Sequence, residues 1–381
     1  MGGAAAPVRS AEVPQFAALG HQENWDQIAS IVAAMRPRDA AAVGIPELRT
    51  IVPWIPPRTV SRFRLGDGAG GPAIPAVYID TFITPDELAA PANRRTVEKV
   101  RAGIAAAVRE GVPVVALGGF TSILLEAGAI EPVAGIAVTT GNSLTAALIV
   151  RGVERALRKL GRQLADETVL IIGATGDVGS ACARDLAGKA RCLLLTARNL
   201  ARLEQQARKL AGNGPVEVSA LDVFLVARAT VVIAAASTAE PTFDLTSCSP
   251  DAIVCDAGYP KNFRTASQAG QAPRVFWGGM GRLAAGLWSD DGVLERFYRF
   301  PVPSVAHGCM LEGVALALAG RHESYSGKRG SITPDRMREI WSLAEHHGVT
   351  PAPLFNDQGL WPEERADLPF SGAEPAVGFG R

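Results

Sequence analysis

Apolar residues recur along this chain with two different rhythms. Segments 168–172, 192–195, 230–233 and 252–255 are short, unbroken runs rich in branched side chains. Strands covered on both faces read this way, as in a parallel sheet flanked by helices. Elsewhere the period is helical. Thr84-Pro85-Asp86-Glu87 combines a capping hydroxyl, a proline at the first helical position and a glutamate three residues after the cap, which predicts a helix start. Val97, Val100, Ile104 and Val108 follow at helical spacing and Gly111 ends the run, before a short strand at 114–117 enters Gly118-Gly119. A last helix starts at Thr333-Pro334, buries Met337, Ile340, Trp341 and Ala344, and stops at Gly348.

The first strand–helix junction of the 166–275 block carries chemistry. Gly173-Ala174-Thr175-Gly176-Asp177-Val178-Gly179 follows a strand and opens a helix running to about Leu186. Glycines admit a pyrophosphate close to the backbone, and the helix N-terminus offers free N–H groups and partial positive charge. At the end of the next strand, where an NAD site holds an acid, stands Thr196-Ala197-Arg198-Asn199. Arg198 suits a 2′-phosphate, with Thr196 and Asn199 adding hydrogen bonds, so the expected cofactor is NADPH. Two later strand ends face the same crevice: Ala235-Ala236-Ser237, and Gly258-Tyr259-Pro260-Lys261. Tyr259 and Lys261 are candidates to position a nicotinamide or polarise a carbonyl, a plain turn being the other reading.

The expected fold class is therefore α/β. A Rossmann-type NADP-binding domain with a parallel sheet (166–275) is inserted between two halves of an α/β substrate domain. Those halves are 16–165 and a helical return segment, 276–350. Residues 1–15 read as a flexible leader and 351–381 as a poorly ordered tail.

Composition narrows the function classes. In 381 residues, 38 Lys+Arg balance 38 Asp+Glu, which argues against a nucleic-acid partner. Five cysteines without a C-x-x-C pair exclude the common zinc patterns and a disulfide framework, so no metal is expected and a reducing cytoplasm fits. The uncharged stretch 132–150 contains Thr139, Thr140, Asn142, Ser143 and Thr145 and reads as a loop entering a helix, with no membrane span.

Gly118-Gly119-Phe120-Thr121-Ser122, Thr140-Gly141-Asn142, the 173–180 turn, the 196–199 segment and Gly258-Tyr259-Pro260-Lys261-Asn262 occur in this order. Together they resemble the aldehyde-forming fatty acyl-[acyl-carrier-protein] reductases, over most of the chain up to about Gly348. The resemblance implies NADPH-dependent reduction of an acyl thioester through a cysteine-bound acyl group. The family's Cys-x-x-Glu pattern falls on Cys309-Met310-Leu311-Glu312, so it implies Cys309 as nucleophile. His307 is a candidate base or simply a polar residue at a helix start. Phe120, Thr121, Ser122 and Asn142 are placed on the substrate side, the last three as oxyanion donors or as helix caps.

An acyl-carrier protein is the expected partner and an aldehyde-consuming enzyme a further one. Arg151, Arg155, Arg158 and Arg162 form a helical stripe that reads as a docking face or a solvated one. The sequence departs from the family pattern before Phe16, after Pro351 and around 277–288, which leaves acyl length and carrier identity open. Two other classes compete. One is a shikimate-dehydrogenase-like NADP enzyme for a small hydroxy or amino acid, with Lys261 as acid/base. The other is a non-catalytic NADPH-binding scaffold.

Overall fold

The computed structural model describes residues 12–37, 40–88, 93–128, 130–131, 133–220, 223–238, 243–264 and 273–365. Two six-stranded sheets organise them. In the second sheet the spatial order is Arg274–Trp277, Ile253–Asp256, Val231–Ala234, Thr168–Ile172, Cys192–Thr196, Val216–Ser219, with every neighbouring pair parallel. Numbered along the chain this is 6-5-4-1-2-3, the doubly wound Rossmann order. Its central strands are buried throughout, as continuous apolar runs require.

The first sheet runs Leu287–Ser289, Arg58–Leu65, Ile74–Asp80, Phe16–Gly20, Val114–Leu117, Ala137–Thr139. Its last three strands and Ile74–Asp80 are parallel, while the first three form an antiparallel edge. The chain thus returns after the Rossmann sheet to complete the first one. Gly313, in the helix Gly308–Leu318, packs on Phe16 and Ala116 of this sheet, so close that a Cβ would lie 2.4 Å from the Phe16 ring. The long helix Asn142–Lys159 is shared between the two halves. Gly152 abuts Phe276 of the Rossmann sheet, and Leu148 meets Gly281 beside Leu311 of the Gly308 helix.

Local signals hold where the sequence is explicit. Thr84 and Glu87 form the reciprocal capping box, each backbone N–H donating to the other's side chain. Thr333 caps the helix Pro334–His346, whose buried face is Met337, Ile340, Trp341 and Ala344. The antiparallel strands 58–65 and 287–289, the second at the sheet edge, have no counterpart among the expected elements.

Beyond Pro351 the expectation of poor order fails for 352–365, and 366–381 lie outside the described residues. Of the leader, 1–11 lie outside them as well. Trp361 is buried and donates its indole N–H to Val275 O at 2.7 Å. Glu364, 1% exposed, receives a two-pronged ion pair from Arg155, Nε to Oε1 at 2.6 Å and Nη2 to Oε2 at 2.5 Å. The 352–365 segment is held in part by Glu364 and Glu363, which pair with Arg155 and Arg274. Of the arginine stripe, three members have internal partners: Arg155 pairs with Glu364, Arg151 stacks 4.0 Å over Trp341 and Arg162 pairs with Glu167, while Arg158 is exposed.

Removing Arg155 would strand the Glu364 carboxylate in a dry site. Arg155→Ala is expected to lower unfolding free energy in urea by about 3–5 kcal/mol, and Arg155→Met combined with Glu364→Leu to recover most of it. Equal stability of Arg155→Ala and wild type would contradict this.

Candidate active site

Both sheets point the carboxyl ends of their parallel strands into one cavity of about 890 Å³. From the first sheet come Gly20-His21, Gly118-Gly119 and Asn142; from the Rossmann sheet come Gly176, Arg198, Ala235–Thr238, Ala257–Tyr259 and Gly278-Gly279. The N-terminus of the Gly308 helix closes the floor, carrying His307, Cys309 and Met310.

Cys309 sits where three helix N-termini meet. It is the second residue of its own helix. Gly119, which precedes the helix Phe120–Glu126, turns its backbone N–H toward the sulfur. Gly141, which precedes the Asn142 helix, presses on the Cys309 backbone; a Cβ there would lie 2.2 Å from its Cα. Gly141 also has φ +68°, so both space and conformation demand glycine. Burial pushes the thiol up to about 11, against N–H groups of Gly119, Met310 and Cys309 that favour the thiolate. Among the described residues no other thiol lines the cavity, Cys182, Cys248 and Cys255 being buried.

His307 stands in the cavity wall among the rings of Tyr259, Tyr298 and Phe300, at centroid distances of 5.4, 6.3 and 6.0 Å. Burial and then the Lys261 charge push it down to about 3, so the imidazole is neutral at working pH and holds an abstracted proton poorly. Sequence reading passed over a second histidine. His21 Nε2 accepts the Phe120 N–H at 3.0 Å, which leaves the proton on Nδ1, 3.3 Å from Gln22 O. Burial holds His21 down at about 4. Tyr259 donates its hydroxyl to His21 O at 3.2 Å, tying the two sheets together above the thiol.

The proposed oxyanion donors are engaged elsewhere. Thr121 donates to Gly118 O at 2.7 Å and Ser122 to Gly119 O at 2.8 Å, so both hydroxyls tighten the first turn of their helix. Asn142 donates its amide to Glu126 and Asp177. Of the substrate-side residues, Phe120, Ser122 and Asn142 line the cavity, and buried Thr121 does not.

The glycine turn at 173–179 packs tightly on the neighbouring backbone. Gly173, at φ +81°, would drive a Cβ to 2.7 Å from Ala235 O, and Gly179 to 2.4 Å from Gly173 O. Gly176 and Val178 line the cavity, while Ala174 is buried and donates to Thr196 O at 3.2 Å. Asp177 opens the helix Asp177–Leu186. Arg198 is exposed at the cavity edge. Its neighbours do other work: Asn199 caps the helix Leu200–Leu210, and Thr196 is buried, offering its carbonyl to the glycine turn. Ser237 and Gly258 line the cavity, their loops clamped by buried Asn262, which exchanges hydrogen bonds with Ala236. Lys261 is turned away; its ammonium donates to Gly258 O at 3.0 Å and stands 5.1 Å over Trp277.

No protein-family model matches the chain. It is 29% identical over 349 residues to the long-chain acyl-[acyl-carrier-protein] reductase of Synechococcus elongatus, covering 89% of this chain and 99% of that protein. It is 28% identical over 281 residues to the aminotransferase PigE of a Serratia species, 71% of this chain but 32% of that larger protein. Among solved structures, the L-tryptophan dehydrogenase of Nostoc punctiforme matches 88% of this chain and 80% of its own, at 11% identity and TM-score 0.39. The strand order itself carries the fold.

With the thiol near 11, the thiolate fraction climbs tenfold per pH unit across the neutral range. The iodoacetamide rate at Cys309, taken as wild type minus Cys309→Ser, is expected to rise without plateau from about pH 6 to 9. A plateau near pH 7 would mean a preformed thiolate.

Proposed function

We propose that this protein reduces an acyl thioester, presented by an acyl-carrier protein, to the free aldehyde, with NADPH as reductant and Cys309 as acyl acceptor. The observation that carries the reading is the single cavity holding a glycine cradle and Arg198 at one side and the only cavity-lining thiol among the described residues at the other. The full-length similarity to an acyl-[acyl-carrier-protein] reductase supports it.

The residues fit the dinucleotide. A Cβ at Gly173 or Gly179 would fill the turn, the Asp177 helix presents its N-terminus, and the 196–199 strand end has an arginine and no acid. Bound there, NADPH would supply the hydride that reduces the acyl carbon.

The rest is the work of this chain. The Cys309 sulfur attacks the thioester carbonyl as its thiol proton is released; a new C–S bond forms, the C–S bond to the carrier breaks, and the leaving carrier thiolate takes up that proton. Helix N-termini around the sulfur favour the negative charge that develops on the sulfur and on the carbonyl oxygen. After reduction, the thiohemiacetal breaks its bond to sulfur, its hydroxyl gives up a proton, and the aldehyde departs. Ala18, Leu19, Leu88, Ala116, Leu287 and Leu294 line the cavity and suit an acyl chain. Neutral His307 shapes the wall and excludes water. A reducing cytoplasm keeps the thiol available. The orientation of Lys261 toward Gly258 O disfavours the acid/base role that a hydroxy-acid dehydrogenase would give it.

Incubation with NADPH and a panel of carrier-bound and coenzyme-A thioesters is expected to yield aldehyde. Cys309→Ser should abolish both the product and trapping of labelled acyl group; label persisting on that variant sinks the proposal. Arg198→Ala is expected to cut the preference for NADPH over NADH about 10- to 100-fold, the worth of a charged hydrogen-bonded contact.

A further inference from the structure

One polar group in the cavity wall has no part in the chemistry at Cys309. Glu126 ends the Phe120 helix with its side chain 6% exposed. The Asn142 amide donates to Glu126 Oε1 at 2.7 Å and to Asp177 Oδ2 at 3.2 Å, linking two carboxyl groups. The 327–332 segment closes the group. Gly330 N–H donates to Asp177 Oδ1 at 2.8 Å, and adjacent Arg329 stands 3.7 Å from Glu126 Oε2 with 47% of its side chain exposed. Glu126, Asn142, Asp177 and Arg329 all line the cavity beside Gly176 and Val178.

Two acids beside a helix N-terminus shaped for a diphosphate are a conflict of charge. Asp177 is spent on Gly330 and Asn142. The Arg329 contact, by contrast, is longer than a hydrogen bond and half in solvent, so it exchanges at little cost.

We propose that Arg329 and Glu126 form a proton-linked latch on the cofactor diphosphate: Arg329 leaves Glu126 for the phosphate oxygens as the cofactor enters, and Glu126 takes a proton from solvent in its place. The latch rests on the cofactor part of the reading above. The charged groups facing Glu126 are Asp177 from the Rossmann side and Arg329 from the 327–332 segment, and the Asn142 helix offers it only an amide. Burial and Asp177 already push Glu126 up to about 7. Losing the guanidinium and gaining a phosphate both raise it further.

Below about pH 7 Glu126 is protonated with and without cofactor, and affinity is flat. Above it, binding must draw in a proton, so affinity falls by up to about tenfold per pH unit until the bound-state pKa is passed.

Calorimetric titration of the full chain with NADPH at about pH 6.5, 7.5 and 8.5, in buffers of different ionisation enthalpy, tests this. Wild type is expected to take up protons on binding and to lose affinity toward pH 8.5. Glu126→Gln should keep its affinity across the range with less uptake. Arg329→Ala should bind about tenfold more weakly at pH 6.5 and also show reduced uptake, since its Glu126 has no cation to lose. Equal proton uptake by wild type and Glu126→Gln, or unchanged affinity in Arg329→Ala, overturns the latch. Absence of NADPH binding at every pH removes the cofactor reading as well, whereas tight, pH-independent binding removes the latch alone.

Discussion

Glu312 is fully buried, and its carboxylate is shared among three donors: Thr139 Oγ1 at 2.5 Å, Leu144 N–H at 3.0 Å and Ser326 Oγ at 3.0 Å. Those donors belong to the end of a first-sheet strand, to the first turn of the Asn142 helix and to the segment that leads to Arg329. One carboxylate, itself on the Gly308 helix, therefore fixes four pieces of chain against each other. Cys309 lies one turn before Glu312, so the thiol's position is set by this clasp. Burial raises the Glu312 pKa, and the three hydrogen bonds pull the other way. A buried acid is tolerable here because its lone pairs are occupied. The Cys-x-x-Glu pattern thus joins the cavity-lining thiol to the group that holds its helix in place.

The dryness that makes the clasp strong also sets the protonation of its neighbours. Burial is the leading cause of the shift at Cys309, His21 and His307, and in each case it favours the neutral form. A neutral thiol among neutral imidazoles is a resting state. In the proposed reaction charge enters with the substrates, and backbone N–H groups at helix ends, which carry no proton to lose, are there to meet it. This explains why the side-chain hydroxyls of Thr121 and Ser122 are free to serve the helix turn: the backbone of the same loop faces the sulfur.

What could be read from the sequence follows from how local each signal is. The glycine turn, the branched strands around it and the Thr333 cap are decided within a few residues, so they were legible. Strand 58–65 was not, although it pairs locally with 74–80, because its polar positions dilute the alternation, and strand 287–289 was not, because its partner 63–65 lies more than 200 residues away. The same holds for the 352–365 tail, whose order depends on Arg155 and Val275, both remote in the chain. Within the site, the Cys309 pattern could be carried over from a resemblance. His21 and Glu126 had no such signal, since each matters only through a partner brought from another strand or helix. Arg198 and Asn199 show the converse: adjacent letters suggested one task, and the helix that starts at Leu200 took Asn199 for its cap.

The shared Asn142 helix gives the two halves a common mechanical part. Its N-terminus touches Cys309 through Gly141, Glu312 through Leu144 N–H, and Asp177 through the Asn142 side chain. Asp177, at the start of the helix Asp177–Leu186, is therefore one hydrogen bond away from the helix whose N-terminus abuts Cys309. Because Gly141 has no side chain to yield, a shift of that helix is passed to the Cys309 backbone by direct contact. Under the proposed function, cofactor binding and thiol placement are coupled through this packing.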